Sequence, residues 1–127
     1  MEYYLVDTDI LIDITKGKEE AVNFLEKLDN ITISIISAME LAVGARNNDE
    51  VKEIENFLID YAKEFLTAEI STKAYELLKI HSRIDGLTIP DALIAATAII
   101  NKLTLTTRNV KHFRKIRGLK LEEPTYS

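Results

Sequence analysis

At 127 residues, with 46% apolar and 29% charged side chains, the chain has the balance of one soluble globular domain spanning residues 1–127, long enough to bury a core. The lack of cysteine excludes disulfides, thiolate metal sites and a cysteine nucleophile together. A net charge of −5 argues against a protein that grips nucleic acid by broad phosphate neutralisation, and no run approaches the ~18 apolar residues of a membrane span.

Tyr3-Tyr4-Leu5-Val6 reads as a short buried strand ending at Asp7, since aromatic and β-branched residues give way abruptly to polar ones. No basic segment precedes it and acids interrupt its apolar run, so it is not a secretion signal and the cytoplasm is the expected compartment. Thr8-Asp9 can cap a helix through Ile14, broken at Gly17. Glu19 to Leu28 resumes helical spacing, with Val22, Leu25 and Leu28 on one face. Ile31-Thr32-Ile33-Ser34-Ile35 alternates in period two and makes a second strand. Ser37 to about Ala45 is helical, and Asp49 to Phe65 carries Val51, Ile54, Leu58, Tyr61 and Phe65 at helical spacing. Leu66 to Ile70 fits a third strand. Ser71 then caps a helix with Ala74, Leu77, Leu78, His81 and Ile84 on one stripe, ended by Asp85-Gly86.

The next helix, from Ile89 to about Lys102, has an almost wholly apolar body and one acid, Asp91, at its head. Pro90 reads as its first helical position, and an acid one residue later faces unpaired backbone N–H groups. Its composition predicts burial, with Ala95, Ala96 and Ala98 admitting close neighbours. Leu103 to Thr107 is a fourth strand, Arg108-Asn109 leaves it, and Val110 to Ile116 allows a helical turn or two. Leu119-Lys120-Leu121 suggests a last edge strand closed by Pro124. Strands separated by helical patterns predict an α/β fold, an open, mainly parallel sheet of four to five strands with helices on both faces.

In such a sheet, strand ends and helix starts share one edge, where α/β folds bind ligands. Asp7 closes the first strand, Glu40 lies in the first turn after the second, Asp91 heads the apolar helix and Asn109 follows the fourth strand. All four are expected at one rim. Three carboxylates gathered without a basic partner repel one another, and a divalent cation resolves that repulsion. Oxygen donors suit Mg²⁺ or Mn²⁺ better than zinc, and such ions serve hydrolysis of phosphate esters. Each acid also has a plain structural reading: Ser37-x-x-Glu40 fits a capping box, Asp7 can cap the following helix, and Asp91 can serve its own helix dipole. Their coincidence at one edge favours a joint role. His81 is expected as a satisfied, partly buried histidine, His112 and Asp13 as surface groups, and Asp9 as a neighbour supporting the site. Phe24, Phe57 and Phe65 read as core. The basic residues Arg108, Lys111, Arg114, Lys115, Arg117 and Lys120 form either a local rim beside the acids or a solvated face.

The segments Leu5-Val6-Asp7-Thr8-Asp9, Ser37-Ala38-Met39-Glu40-Leu41, Pro90-Asp91-Ala92-Leu93-Ile94-Ala95-Ala96 and Thr107-Arg108-Asn109-Val110-Lys111-His112-Phe113 resemble, in order, those of PIN-domain ribonucleases, above all VapC-type toxins. The resemblance implies a metal-dependent endoribonuclease in which Asp7, Glu40 and Asp91 match the acidic metal-binding positions. Asn109 matches a position where many relatives carry Asp, and Asp9 one where Asn is commoner. It further implies an RNA substrate, a homodimer and a cognate antitoxin. Two other readings remain open here. The Asp-x-Asp start also fits haloacid-dehalogenase-like phosphatases, with Asp7 as nucleophile and Asp9 as general acid. A non-catalytic RNA- or protein-binding module is the second, supported by the neutral Asn109.

Overall fold

The computed structural model of the chain describes residues 2–126. Five short strands, β1 (Tyr4–Val6), β2 (Ile31–Ser34), β3 (Ala62–Glu64), β4 (Thr104–Thr106) and β5 (Lys120–Glu122), form one sheet in the order β3-β2-β1-β4-β5. Every neighbouring pair is parallel, with Val6 opposite Ile33 on one side and Thr106 on the other. Between them run α1 (Thr8–Thr15), α2 (Glu19–Glu26), α3 (Ile35–Val43), α4 (Asn48–Leu58), α5 (Ala68–Asp85), α6 (Ile89–Ile100) and α7 (Val110–Phe113).

Strand alternation divides the core. Leu5 faces a cluster with Leu105, Phe113 and the apolar sides of α5 and α6; Val6 faces the opposite cluster of Ile10, Leu11, Phe24, Ile33 and Leu58. Ala92, Ala95 and Ala96 are fully buried, so small side chains bring α6 close to its neighbours, as its composition predicts. Gly86 ends α5 in the left-handed region at φ +71°, donating to Ser82 O while Leu87 N–H reaches His81 O. His81 is buried and satisfied, with Nδ1 2.7 Å from Asp85 Oδ2.

Several expectations fail, most of them around the third strand. The helix expected to run to Phe65 ends at Leu58, because residues 62–64 pair with β2 and the Lys63 ammonium donates to the carbonyls of Leu58 and Tyr61. Leu66 to Ile70 is therefore not a strand: it holds the loop and first turn of α5, capped by Thr67 rather than Ser71. Phe65, expected in the core, is 63% exposed, and Ile84 also leaves the core stripe. No helix among the described residues is long and apolar enough to cross a membrane.

Candidate active site

The sheet is built outward in one direction through β2 and β3 and in the other through β4 and β5, so its switch point lies between the carboxyl ends of β1 and β4. Asp7 stands there. Its N–H donates to Thr106 O at 2.9 Å, continuing the β1–β4 ladder one step, while its φ and ψ of −71° and 158° turn the chain into α1. Asp7, not Thr8 or Asp9, is the helix cap: Oδ1 accepts from Thr8 N–H at 2.8 Å. Oδ2 accepts from the Thr107 hydroxyl at 2.7 Å, across the switch point. At 5% exposure, Asp7 has lost most of its hydration. Burial, reinforced by Asp9 and more weakly by Asp91, pushes its carboxyl up to about 7 despite the two hydrogen bonds.

Glu40 reaches the same region by another route. The cap of α3 is Ser34, whose Oγ accepts from Ile36 N–H, so the Ser37–Glu40 capping box does not form and Glu40 lies in the second turn. The buried strand runs directly into the helix, and the cap falls on its last residue. Glu40 instead accepts from the Thr8 hydroxyl at 2.6 Å, and Thr8 Oγ1 also meets Ser37 Oγ at 2.8 Å. Thr8 thus joins Glu40 to the residue next to Asp7.

Asp91 is the third residue of α6. Thr88 caps this helix and accepts from Asp91 N–H at 3.3 Å, and Ile89 precedes Pro90 in the first turn. Burial raises the Asp91 carboxyl, opposed by His112, whose Nδ1 lies 3.7 Å away. His112 is exposed, as expected, yet it faces the acidic edge. Asn109 opens α7 without a side-chain capping bond, and its backbone N–H donates to Thr107 Oγ1 at 3.0 Å. Asp9 accepts from Arg108 N–H at 3.0 Å and lies 3.3 Å from the Thr107 hydroxyl, so it does support the site.

Asp13 corrects an expectation. It is buried rather than a surface group, because the Arg108 guanidinium grips it at 2.7 and 3.2 Å and the Tyr126 hydroxyl donates to it at 2.7 Å. Sequence reasoning also passed over the hydroxyls of Thr8, Ser37 and Thr107. Their one signal is position, immediately beside a strand end or one turn before an acid on the same helix.

Asp7, Asp9 and Asp91 therefore converge at one edge, with Glu40 linked through Thr8. Among the described residues, no three acidic or imidazole groups already stand in ligand geometry around one point. The donor chemistry nevertheless fits a hard cation. The partners of Asp7 are a hydroxyl and a backbone N–H, neither of them charged, and Asp9 Oδ1 is buried with no hydrogen-bond partner.

A parallel sheet with acids gathered at its switch point defines the class: the chain belongs to the PIN domain family, whose model matches residues 4–119. It is 38% identical over 125 residues to Ribonuclease VapC1 of Methanocaldococcus jannaschii, covering 92% of this chain and 85% of that protein. It is 32% identical to Ribonuclease VapC10 of Mycobacterium tuberculosis over 120 residues, covering 91% and 90%. Among solved structures it is similar to a toxin-antitoxin complex from Klebsiella pneumoniae, with TM-score 0.81, 33% identity and 98% and 99% of the two chains covered. A second similar structure is VapBC2 from Rickettsia felis bound to a promoter DNA fragment, with TM-score 0.79, 30% identity and 95% and 98% coverage. The family assignment sets aside the phosphatase reading of Asp7 and Asp9.

Proposed function

We propose that this chain is a divalent-metal-dependent endoribonuclease, the toxin of a toxin–antitoxin pair, acting on RNA in the cytoplasm. The observation that carries the reading is Asp7, a buried carboxylate with neutral partners, raised to about 7 and pressed by two further acids at the switch point. Negative charge gathered in this way at a switch point supports a role in holding a cation. The ribonuclease names of the curated relatives support the same chemistry.

Asp7, Glu40 and Asp91 would hold Mg²⁺ or Mn²⁺, with Asn109 offering a neutral oxygen beside them. When bound, such an ion supplies Lewis-acid polarisation and neutralises charge developing on the scissile phosphate. The remaining work belongs to the chain. Thr107 orients Asp7, Thr8 orients Glu40, and the close-packed α6 fixes the backbone beneath Asp91. Exposed Lys111 on α7 provides positive charge for a flanking phosphate, and the exposed His112 ring beside it offers hydrogen bonds.

Two partners complete the reading, a second copy of the chain and a cognate antitoxin. Beside Glu40, a groove of about 400 Å³ between α3 and α6 is lined by Ile36, Met39, Val43, Ile89, Pro90 and Leu93. Met39, Val43 and Ile89 are each more than half exposed, an apolar strip that favours protein contact near the acidic edge. The solved toxin–antitoxin complexes similar to this chain support such a partner.

The test is RNA cleavage in Mn²⁺ by the purified chain and by Asp7→Asn and Asp91→Asn. Each substitution should lower cleavage by about 10²-fold or more, with circular dichroism unchanged. Cleavage that survives both, in protein free of contaminating nuclease, refutes the reading. A folded wild-type chain that neither binds Mn²⁺ nor cuts RNA supports the non-catalytic module instead.

A further inference from the structure

Asn109 stands at the acidic edge without a charge, so the site as read so far has three carboxylate ligands and a neutral amide. Asp9 lies on the other side of the same threonine. The Thr107 hydroxyl, which receives Asn109 N–H, donates its one proton to Asp7 Oδ2 at 2.7 Å, with Asp9 Oδ2 farther off at 3.3 Å. The Asp7 and Asp9 carboxylates thus crowd one proton that serves Asp7 better.

The rest of the Asp9 environment leaves one of its oxygens without a hydrogen-bond donor. Its Oδ2 is held by Arg108 N–H at 3.0 Å, while its Oδ1 is buried without a hydrogen-bond partner. The Arg108 guanidinium attracts Asp9 through space but gives its hydrogen bonds to Asp13: Nε and Nη2 take the two oxygens of Asp13 at 2.7 and 3.2 Å, and Tyr126 OH closes the third contact to Asp13. Tyr126 is itself packed against Phe24, with ring centroids 6.1 Å apart. A buried carboxylate oxygen without a donor is costly, and one whose partner oxygen is pinned by a backbone N–H cannot rotate to relieve itself.

We propose that Asp9 supplies the fourth carboxylate to the cation site in place of the neutral Asn109, with the guanidinium hydrogen bonds of Arg108 taken by Asp13 so that none of them occupies Asp9 Oδ1. This rests on the metal-dependent reading above. It makes Asp9 more than a support for its neighbours.

Mn²⁺ affinity, followed by calorimetry and by the loss of the free-ion signal in electron paramagnetic resonance, provides the test, with unfolding in EDTA as the control for fold. Asp9→Asn keeps an oxygen for Arg108 N–H, so it should leave metal-free stability unchanged or raised while weakening Mn²⁺ binding by about tenfold or more. Adding Asn109→Asp to that variant should restore most of the affinity, because the charge returns beside Thr107. Asp9→Asn with wild-type affinity, or a loss that Asn109→Asp does not recover, overturns the proposal. The two levels separate cleanly. If Asp7→Asn and Asp91→Asn abolish Mn²⁺ binding while Asp9→Asn is silent, only the role of Asp9 fails; if all three are silent, the metal reading fails with it.

Discussion

Replacing Asp7 with Asn should stabilise the metal-free protein. The carboxyl of Asp7 is raised from 3.8 to about 7, chiefly by burial and then by Asp9. At ~1.4 kcal/mol per pH unit, keeping it ionised in the folded state opposes folding by about 4 kcal/mol above pH 7. The sign follows from proton binding. Folding raises this pKa, so the folded protein takes up a proton between pH 3.8 and about 7; the penalty is complete above that window and fades as pH falls through it. Asparagine keeps the acceptor for Thr8 N–H but presents an NH₂ group to Thr107 Oγ1, which must turn its own proton toward Asp9. Allowing about 1–2 kcal/mol for that mismatch leaves a net gain of roughly 2 kcal/mol at pH 8.

Urea unfolding in EDTA at pH 8 and pH 5 measures this directly. Asp7→Asn should exceed wild type at pH 8, and its advantage should shrink by about 2–3 kcal/mol at pH 5, where wild type is already largely protonated at Asp7. Saturating Mn²⁺ should then reverse the order at pH 8, since a ligand at about 100 times its Kd adds ~2.7 kcal/mol to wild type and little to the variant. An Asp7→Asn protein destabilised equally at both pH values would show that Asp7 is not a strained carboxylate, and the case for a cation there would lose its main support.

Two further perturbations probe the network around Asp7. Thr8→Val keeps the shape but removes the hydroxyl shared by Ser37 and Glu40; it should cost about 1–2 kcal/mol in urea unfolding and, with Glu40 no longer held, lower kcat for RNA roughly tenfold with KM little changed. Wild-type kcat in that variant would remove Thr8 from the site. Tyr126→Phe removes one donor to buried Asp13 and should lower stability by about 1–2 kcal/mol, an effect that disappears in an Asp13→Ala background if the hydroxyl acts through that carboxylate.

How much of this was legible beforehand depended on whether a residue's environment is set locally. The strand-helix alternation, the burial of α6 and the shared edge of Asp7, Asp91 and Asn109 follow from period, composition and the polarity of parallel sheets, and these hold. β3 was misplaced because an edge strand of Ala62-Lys63-Glu64 carries no apolar alternation; its pairing with β2 and the Lys63 cap on α4 decide it. The preceding helical spacing ran on without a break, so it absorbed the strand. Asp13 lies one helical turn from Asp9 and reads as a solvated acid until Arg108, 95 residues later, is brought against it. Long-range charge pairs leave no local mark.

The caps show why plain structural readings and functional ones need not compete. Asp7 does cap α1, as a local rule allows, yet one N–H bond does not account for a carboxylate buried beside two others. A serine or asparagine would cap as well without the charge. Glu40 goes further, since the capping box that its spacing suggests is not formed and the side chain is given instead to Thr8. In both cases the residue type exceeds what the local structure requires, and the excess is negative charge at the switch point. In a fold stabilised by only about 5–15 kcal/mol such charge is a real cost, and the proposed cation is what would offset it.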